Sequence, residues 1–318
     1  MQKIQLGRSN ILVPPVIFGC NIFGWTVDKA QSFRLLDALV DAGLNALDTA
    51  DVYSYWAPGH SGGESEIIIG EWLKSRGRRH DVLIFSKAGM EMPGKGKGLS
   101  AAYLTRAIED SLTRLQTDVI DLYQTHRDDE ITPQEETLAA LDKMIQAGKV
   151  RAIGASNFST TRFKEALDIS AKTGLPRYET MQPHYNLLER AIESDMLPLC
   201  ASEGVSVIPY YSLASGFLSG KYRSEADLEK SVRGARGAGK YLGVKGLEVL
   251  AALDDVAQRY SATPAQVAIA WFKGRTALAA PIASATTLEQ LNDLAKAAKL
   301  VLDSQAVAQL DAASASLS

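Results

Sequence analysis

Cysteine is nearly absent. Cys20 and Cys200 are the only two in 318 residues, with neither CxxC nor dense spacing, so a reducing compartment fits better than a disulfide framework. The four histidines, His60, His80, His126 and His184, show no HxxxH or HxH spacing, so no metal site is indicated. The polar N-terminus MQKIQLGRSN has no apolar core of a leader, and no run reaches the length of a membrane span, which makes a cytoplasmic protein with no membrane partner the expectation. No GxGxxG follows the first strand-like run, and PGKGKG at 93–98 lacks the Gly-Lys-Ser/Thr ending of a phosphate loop and reads as a solvated loop. A net charge of −3 and a pI near 5.9 argue against nucleic acid as the main partner. With 46% hydrophobic residues and 22% charged, the chain can bury a sizeable core.

What is present is an alternation. KIQLGRSNILV, two short runs around a turn at Gly7 to Asn10, reads as an N-terminal β-hairpin. Eight strand-like runs follow, at Val16–Phe18, Asn45–Asp48, Val82–Ser86, Ile120–Gln124, Val150–Ala155, Glu179–Gln182, Ser206–Tyr210 and Ala280–Ile282. Helical patterns separate them, such as Phe33, Leu36, Leu39 and Val40 closed by Gly43, or Leu138, Leu141 and Ile145 closed by Gly148. Thr132-Pro133-Gln134-Glu135 and Thr263-Pro264-Ala265-Gln266 both read as capping boxes with proline at the first helical position. The pattern predicts an α/β fold, a single (β/α)8 TIM barrel over 1–318, with a doubly wound open sheet as the competing architecture. A long polar stretch at 221–246, rich in Gly and Arg, reads as a lid or binding loop.

Asp48, Lys87 and His126 stand thirty-nine residues apart, each at or just after a strand-like run. In a barrel those strand ends converge on one mouth. Tyr53, five residues past Asp48 in LDTADVY, can turn into the same cavity. The phenol of free tyrosine has a pKa of about 10, and a nearby Lys87 ammonium favours the phenolate and brings proton exchange within reach. Asp48 would hold Lys87, and His126 would orient a carbonyl oxygen for proton delivery by Tyr53. The set contains no obvious nucleophile, so the electron pair must come from a cofactor or a covalent intermediate.

Ser284-Ala285-Thr286-Thr287-Leu288-Glu289-Gln290 follows the eighth strand and opens a helix, with Thr286 and Glu289 as a capping box. Free backbone N–H groups there would face the mouth, a common place for phosphate. Arg233, Arg236 and Lys240 in SVRGARGAGK could close over a diphosphate. Phe23 and Trp25 after the first strand, with Tyr55 and Trp56 after Tyr53, are candidate pocket walls for a substrate with an apolar or ring-shaped part, packing being the alternative.

These segments together resemble the aldo-keto reductases, NAD(P)H-dependent barrel enzymes that reduce carbonyls, and the resemblance covers nearly the whole chain. LDTADVY implies Asp48 and Tyr53, SKAG implies Lys87, and LYQTHRDD implies His126 as catalytic residues. IGASNF implies Ser156 and Asn157 as partners of the nicotinamide carboxamide, and ETMQPHYN places Gln182 beside them. YYSLASGFLSGKY implies a cofactor segment of Tyr210, Tyr211, Ser212, Leu213, Ala214 and Gly216, with Tyr210 stacking on the nicotinamide, or the adjacent Tyr211 if the alignment slips by one residue. Ser284, Thr286, Thr287 and Gln290 complete the cofactor set. Thr287 and Leu294 stand where family members often carry a basic residue and Asn for the adenosine 2′-phosphate, and Arg233 or Arg236 could compensate. The implied function is reduction of an aldehyde or ketone with NADP (NADPH) favoured over NAD and a small-molecule carbonyl as partner. A homo-oligomer stays open. Two alternatives are a cofactor-sensing regulatory barrel subunit with little turnover and an aldolase-type lyase with Lys87 as Schiff base.

Overall fold

Period-two alternation in the short apolar runs becomes the inside and outside of a closed barrel. The computed structural model describes residues 1–92 and 94–315. A hairpin of β1 (Ile4–Gln5) and β2 (Leu12–Val13) precedes eight parallel strands, β3 (Ile17–Gly19), β4 (Ala46–Asp48), β5 (Leu83–Ala88), β6 (Ile120–Thr125), β7 (Val150–Ser156), β8 (Tyr178–Gln182), β9 (Ser206–Val207) and β10 (Ile282–Ala283). The order runs β10-β3-β4-β5-β6-β7-β8-β9. The ends join where Ala279 N donates to Val207 O and Ile282 N to Pro209 O, each at 2.9 Å. A closed ring removes both edges of the sheet, so the open-sheet alternative falls.

Helices α1 (Lys29–Asp41), α2 (Glu64–Arg76), α3 (Ala101–Leu115), α4 (Gln134–Gln146), α5 (Thr160–Thr173), α6 (Met196–Glu203), α7 (Val244–Arg259), α8 (Pro264–Ala270), α9 (Leu288–Ala297) and α10 (Ser304–Ser314) cover the outside. No helix among the described residues is long and apolar enough to cross a membrane. Outward strand residues such as Leu47, Ile84, Tyr123 and Ile153 join the helix-facing core, while Ala46, Phe85, Leu122 and Ala152 point inward. The hairpin plugs the lower end, with Leu6, Ile11 and Val13 packed on that inner cluster. One step along each strand from the inner apolar layer, the same inward face carries Asp48, Lys87 and Gln124, and Lys87 pairs in register with Gln124. Gly154 lies opposite Gln124 and Thr180, where a Cβ would sit 2.1 Å from Thr180 Oγ1, so only glycine leaves these polar side chains room.

Two local expectations change. The Thr132 hydroxyl donates to Asp129 Oδ2 at 2.6 Å, and Pro133 is the cap residue of α4 with no side-chain bond. Asp129 also accepts from the Leu99, Ile131 and Thr132 amides, and this charge-assisted cluster outcompetes a neutral cap. The box at Thr263 and Gln266 forms reciprocally, with Pro264 opening α8. The stretch at 221–246 is wound into short turns at Glu225–Lys230, Gly234–Ala238 and Gly239–Tyr241, and its last residues already belong to α7. Of PGKGKG, Pro93 lies outside the described residues; Met92 and Gly96 pair across the rest, and Lys95 and Lys97 reach Asp110 and Glu91.

Helices α2 and α3 approach most closely at Gly70, where a Cβ would lie 2.1 Å from Arg114 O and 2.9 Å from Leu115 Cα. Gly70→Ala is expected to lower stability by about 1–3 kcal/mol through overpacking. Urea unfolding reads this directly, and an unchanged midpoint would show that the two backbones do not meet there.

Candidate active site

Lys87 is fully buried, and each of its three ammonium hydrogens has an acceptor: Asp48 Oδ2 at 2.7 Å, the Thr49 carbonyl at 2.7 Å and Tyr53 Oη at 3.1 Å. The other Asp48 oxygen accepts from Gln182 Nε2 at 3.0 Å and Gln124 Nε2 at 3.3 Å, and Gln182 also donates to Gln124 Oε1 at 3.0 Å. Burial pulls the Lys87 ammonium down, but Asp48 and then Tyr53 reverse this and leave its pKa raised. The amine is therefore a cation with every hydrogen committed.

Tyr53 stands on the loop after β4. Its carbonyl accepts from Gly63 and Ser65, and the neighbouring Ser54 hydroxyl donates to Phe23 O at 3.0 Å. Glu64, in the first turn of α2, gathers the amides of Ser54, Ser61 and Gly62 and fixes the loop's return. Burial pushes the Tyr53 phenol up to about 12, and Lys87 opposes this without overcoming it. Lys87 favours the phenolate, but desolvation of the charged form outweighs one ammonium, so the phenol keeps its proton. His126 follows β6, with Nδ1 buried without a partner and its ring edge-on to Tyr53 at 5.8 Å between centroids. Burial, then Lys87 and Arg127, hold its pKa well below the usual histidine range, so the imidazole is neutral.

A second row adjoins these groups. Ser156 Oγ donates to Gln182 O at 2.8 Å; Asn157, in the left-handed region at φ 56°, donates to His126 O at 2.9 Å; and Tyr210 Oη donates to Asn157 Oδ1 at 2.8 Å. Beyond Tyr210 the backbone turns left-handed at Tyr211, Ala214, Ser215 and Gly216, and Ser212 is buried with its hydroxyl on Pro209 O. Such coils aim N–H groups into a concavity suited to anions. Leu213 packs against the core beneath it.

Asn21, after β3, went unnoticed in the sequence. Its Oδ1 accepts from Ser284 Oγ at 3.0 Å and from Arg233 Nη2 at 3.1 Å, tying β3, β10 and the 221–246 segment together. The Arg233 side chain meets Asn21 and no carboxylate among the described residues, and burial lowers its pKa. Arg236 and Lys240, expected over a diphosphate, are engaged elsewhere: Arg236 lies over Trp25 at 5.4 Å and Lys240 binds Glu189 at 2.7 Å. At α9 the cap is shifted by one residue. Thr287 caps the helix through Gln290 N, and the Gln290 side chain accepts from Thr286 N at 2.8 Å; the expected Thr286 and Glu289 box does not form. An anionic, ring-bearing cofactor fits this lining, because a half-buried arginine whose side chain meets only the neutral Asn21 amide is costly unless an anion answers it.

Trp56 is the hub of an aromatic rim, 5.5 Å from Tyr53, 5.8 Å from Trp25 and 6.0 Å from Tyr55 between ring centroids. Phe23 is not part of it. It is fully buried and packs on Phe18, because its place inside the turn after β3 faces the core. No group of three or more His, Cys, Asp or Glu side chains among the described residues is gathered for a metal ion.

The model of the aldo/keto reductase family matches residues 15–315. An uncharacterized oxidoreductase of Bacillus subtilis, YrpG, is 34% identical, covering 98% of this chain and 95% of its own. Versiconal hemiacetal acetate reductase of Aspergillus parasiticus is 31% identical over 85% of each chain. A probable voltage-gated potassium channel subunit beta of rice is 32% identical over 95% of this chain and 92% of its own. The chain belongs to the aldo-keto reductase family, a family of oxidoreductases that use nicotinamide cofactors on small-molecule carbonyls.

Behind the site, both Asp51 carboxyl oxygens are buried without a partner. Burial first and Glu66 second push this carboxyl from 3.8 up to about 8, with Arg114 opposing. Its folded pKa is raised, so the native state forgoes an ionisation that the unfolded chain gains; the penalty grows as pH climbs from about 4 to about 8 and then levels off. Asp51→Asn should remove that slope, so the melting temperature of the variant gains on the native protein from pH 5 to pH 8. Parallel melting curves across that range would show that Asp51 ionises normally.

Proposed function

We propose that this chain reduces an aldehyde or ketone to an alcohol with NADPH, with Tyr53 as general acid. The observation that carries the reading is the direction of one hydrogen bond. Lys87 donates to Tyr53 Oη, so the phenolic hydrogen is left for an acceptor in the mouth. A bound nicotinamide cofactor supplies hydride to the carbonyl carbon. Neutral His126 holds the carbonyl oxygen by a ring N–H, Tyr53 gives that oxygen its proton, and Lys87 with Asp48 stabilises the phenolate left behind. The 221–246 segment and the aromatic rim exclude water.

Ser156, Asn157 and Gln182 would meet the carboxamide, Tyr210 the nicotinamide face, and Ser212 to Gly216 with Arg233 and Ser284 the diphosphate. Thr286, Thr287 and Gln290 open α9 toward the adenosine end. The preference for NADP rests on the family resemblance, since Thr287 offers no cation for a 2′-phosphate and Arg233 is placed at the diphosphate. Trp25, Tyr55 and Trp56 favour a substrate with an apolar or ring-shaped part. Two free, buried thiols suit a cytoplasmic setting.

The lyase alternative needs an amine with a free lone pair, and Lys87 has none. The resemblance to a channel subunit keeps the regulatory reading in view, and the assembled Tyr53, Lys87, Asp48 and His126 favour turnover. Tyr53→Phe is expected to cut carbonyl reduction by roughly 100- to 10,000-fold while NADPH binding, read by fluorescence, stays near native. Native turnover in that variant would take the acid role from Tyr53. A parallel screen of aldehydes, ketones and sugars with NADPH and NADH should show NADPH faster on at least one aryl or apolar carbonyl; turnover near zero on all of them, with tight NADPH binding, would favour the regulatory subunit.

A further inference from the structure

His184 has no place in the chemistry above, yet it forms the back of the proposed nicotinamide platform. Its ring lies on Tyr210 at 5.4 Å between centroids and 15° between planes, and it meets Tyr211 edge-on at 5.4 Å. The backbones of His184 and Tyr210 pair in a parallel bridge, and Tyr210 N donates to Pro183 O at 3.0 Å. The Tyr210 hydroxyl is held by Asn157, imidazole stacks on one face of the half-buried phenol and Tyr211 meets it edge-on at 5.1 Å, so a flat ring laid on Tyr210 would take the side away from His184. A charge on His184 therefore sits one phenol thickness from that ring.

We propose that His184 is a positioning residue that makes the platform sense the oxidation state of the nicotinamide: protonated, it disfavours the oxidised, cationic ring, and neutral, it leaves both forms alike. This rests on the reading of Tyr210 as the nicotinamide platform. Oxidised and reduced cofactor differ at this point by one positive charge on the ring, so an imidazolium behind Tyr210 repels the first and not the second. By linkage, oxidised cofactor in turn makes His184 harder to protonate. Acidification would then speed loss of the spent cofactor without weakening its reduced form.

The surrounding charges single out His184 as the group that changes. Glu189 faces it from the same loop, bound by Lys240 and Tyr241 of the 221–246 segment, which keeps that carboxylate ionised in mild acid. Lys240 and Arg127 are fixed cations near the two rings, Tyr210 is pushed upward by burial, and Asn186 contributes a neutral amide 3.5 Å from His184 Nε2. Burial, opposed by Glu189 and aided by Lys240, lowers the His184 pKa, placing its titration on the acid side of neutrality.

The test is the ratio of dissociation constants for NADP+ and NADPH, measured by fluorescence titration on the full chain at pH 5.5 and pH 8. Titration of the 2′-phosphate is common to both ligands and cancels in the ratio. The native ratio should rise on the order of threefold to tenfold on acidification, the scale of one charge acting through a stacked ring. His184→Phe keeps a ring on the platform and removes its charge, and its ratio should be flat. A flat native ratio overturns the proposal, and so does a slope that survives in His184→Phe. Tyr210→Leu separates the two readings. Native affinity of that variant for both ligands would remove the platform itself, whereas weakened binding beside a flat native ratio would remove only the role of His184.

Discussion

An ion pair buried at the end of two neighbouring strands organises this molecule. Taking Lys87 and Asp48 out of water costs several kcal/mol per ion, which their attraction offsets only if the remaining hydrogens and lone pairs are also satisfied. They are, by Thr49 O and Tyr53 Oη on one side and by Gln124 and Gln182 on the other. The requirement therefore spreads around the ring, holding β4, β5, β6 and β8 in register with the loop that carries Tyr53. A barrel built for this pair has its inner polar layer decided, and the hairpin closing the lower end leaves the upper mouth as the way in.

The same pair sets the direction of the hydrogen bond to Tyr53. Because the ammonium donates to the phenol, the phenol must donate elsewhere, and burial keeps it protonated until something negative develops nearby. Around this centre the structure joins segments far apart in the chain. Asn21 binds Ser284 and Arg233 at once, Arg236 lies over Trp25, and Glu189 holds Lys240 and Tyr241, so the 221–246 segment is fastened at several points across the mouth.

Much of this could be read in advance, for a physical reason in each case. Strands of period two alternating with capped helices leave few architectures, and β/α units of similar length put Asp48, Lys87 and His126 at equal spacing. The Thr263 box was legible because both partners lie within one helical turn. At Thr132 the same local logic failed, because Asp129 competes for the hydroxyl, and at Thr286 the competitor was the Gln290 side chain. Phe23 looked like a wall until the turn after β3 put it inside. Asn21, Gln124, Glu64 and Asp51 escaped notice as single polar residues; only Gln124, a polar side chain within an apolar strand, carried a signal that could have marked it.

The order of residues by itself determined the barrel, its strand ends and the reactive groups gathered there, since periodicity, caps and segment lengths are local and survive without knowing what packs on what. Tertiary structure alone decided the charge and hydrogen-bond state of those groups. The Lys87 ammonium is close to Tyr53, which argues for a phenolate; the solvent is absent, which argues against it, and burial is a property of the whole fold. The same holds for His126 kept neutral, Asp51 kept protonated and Arg233 left without a carboxylate, because desolvation depends on which distant segments close over a side chain.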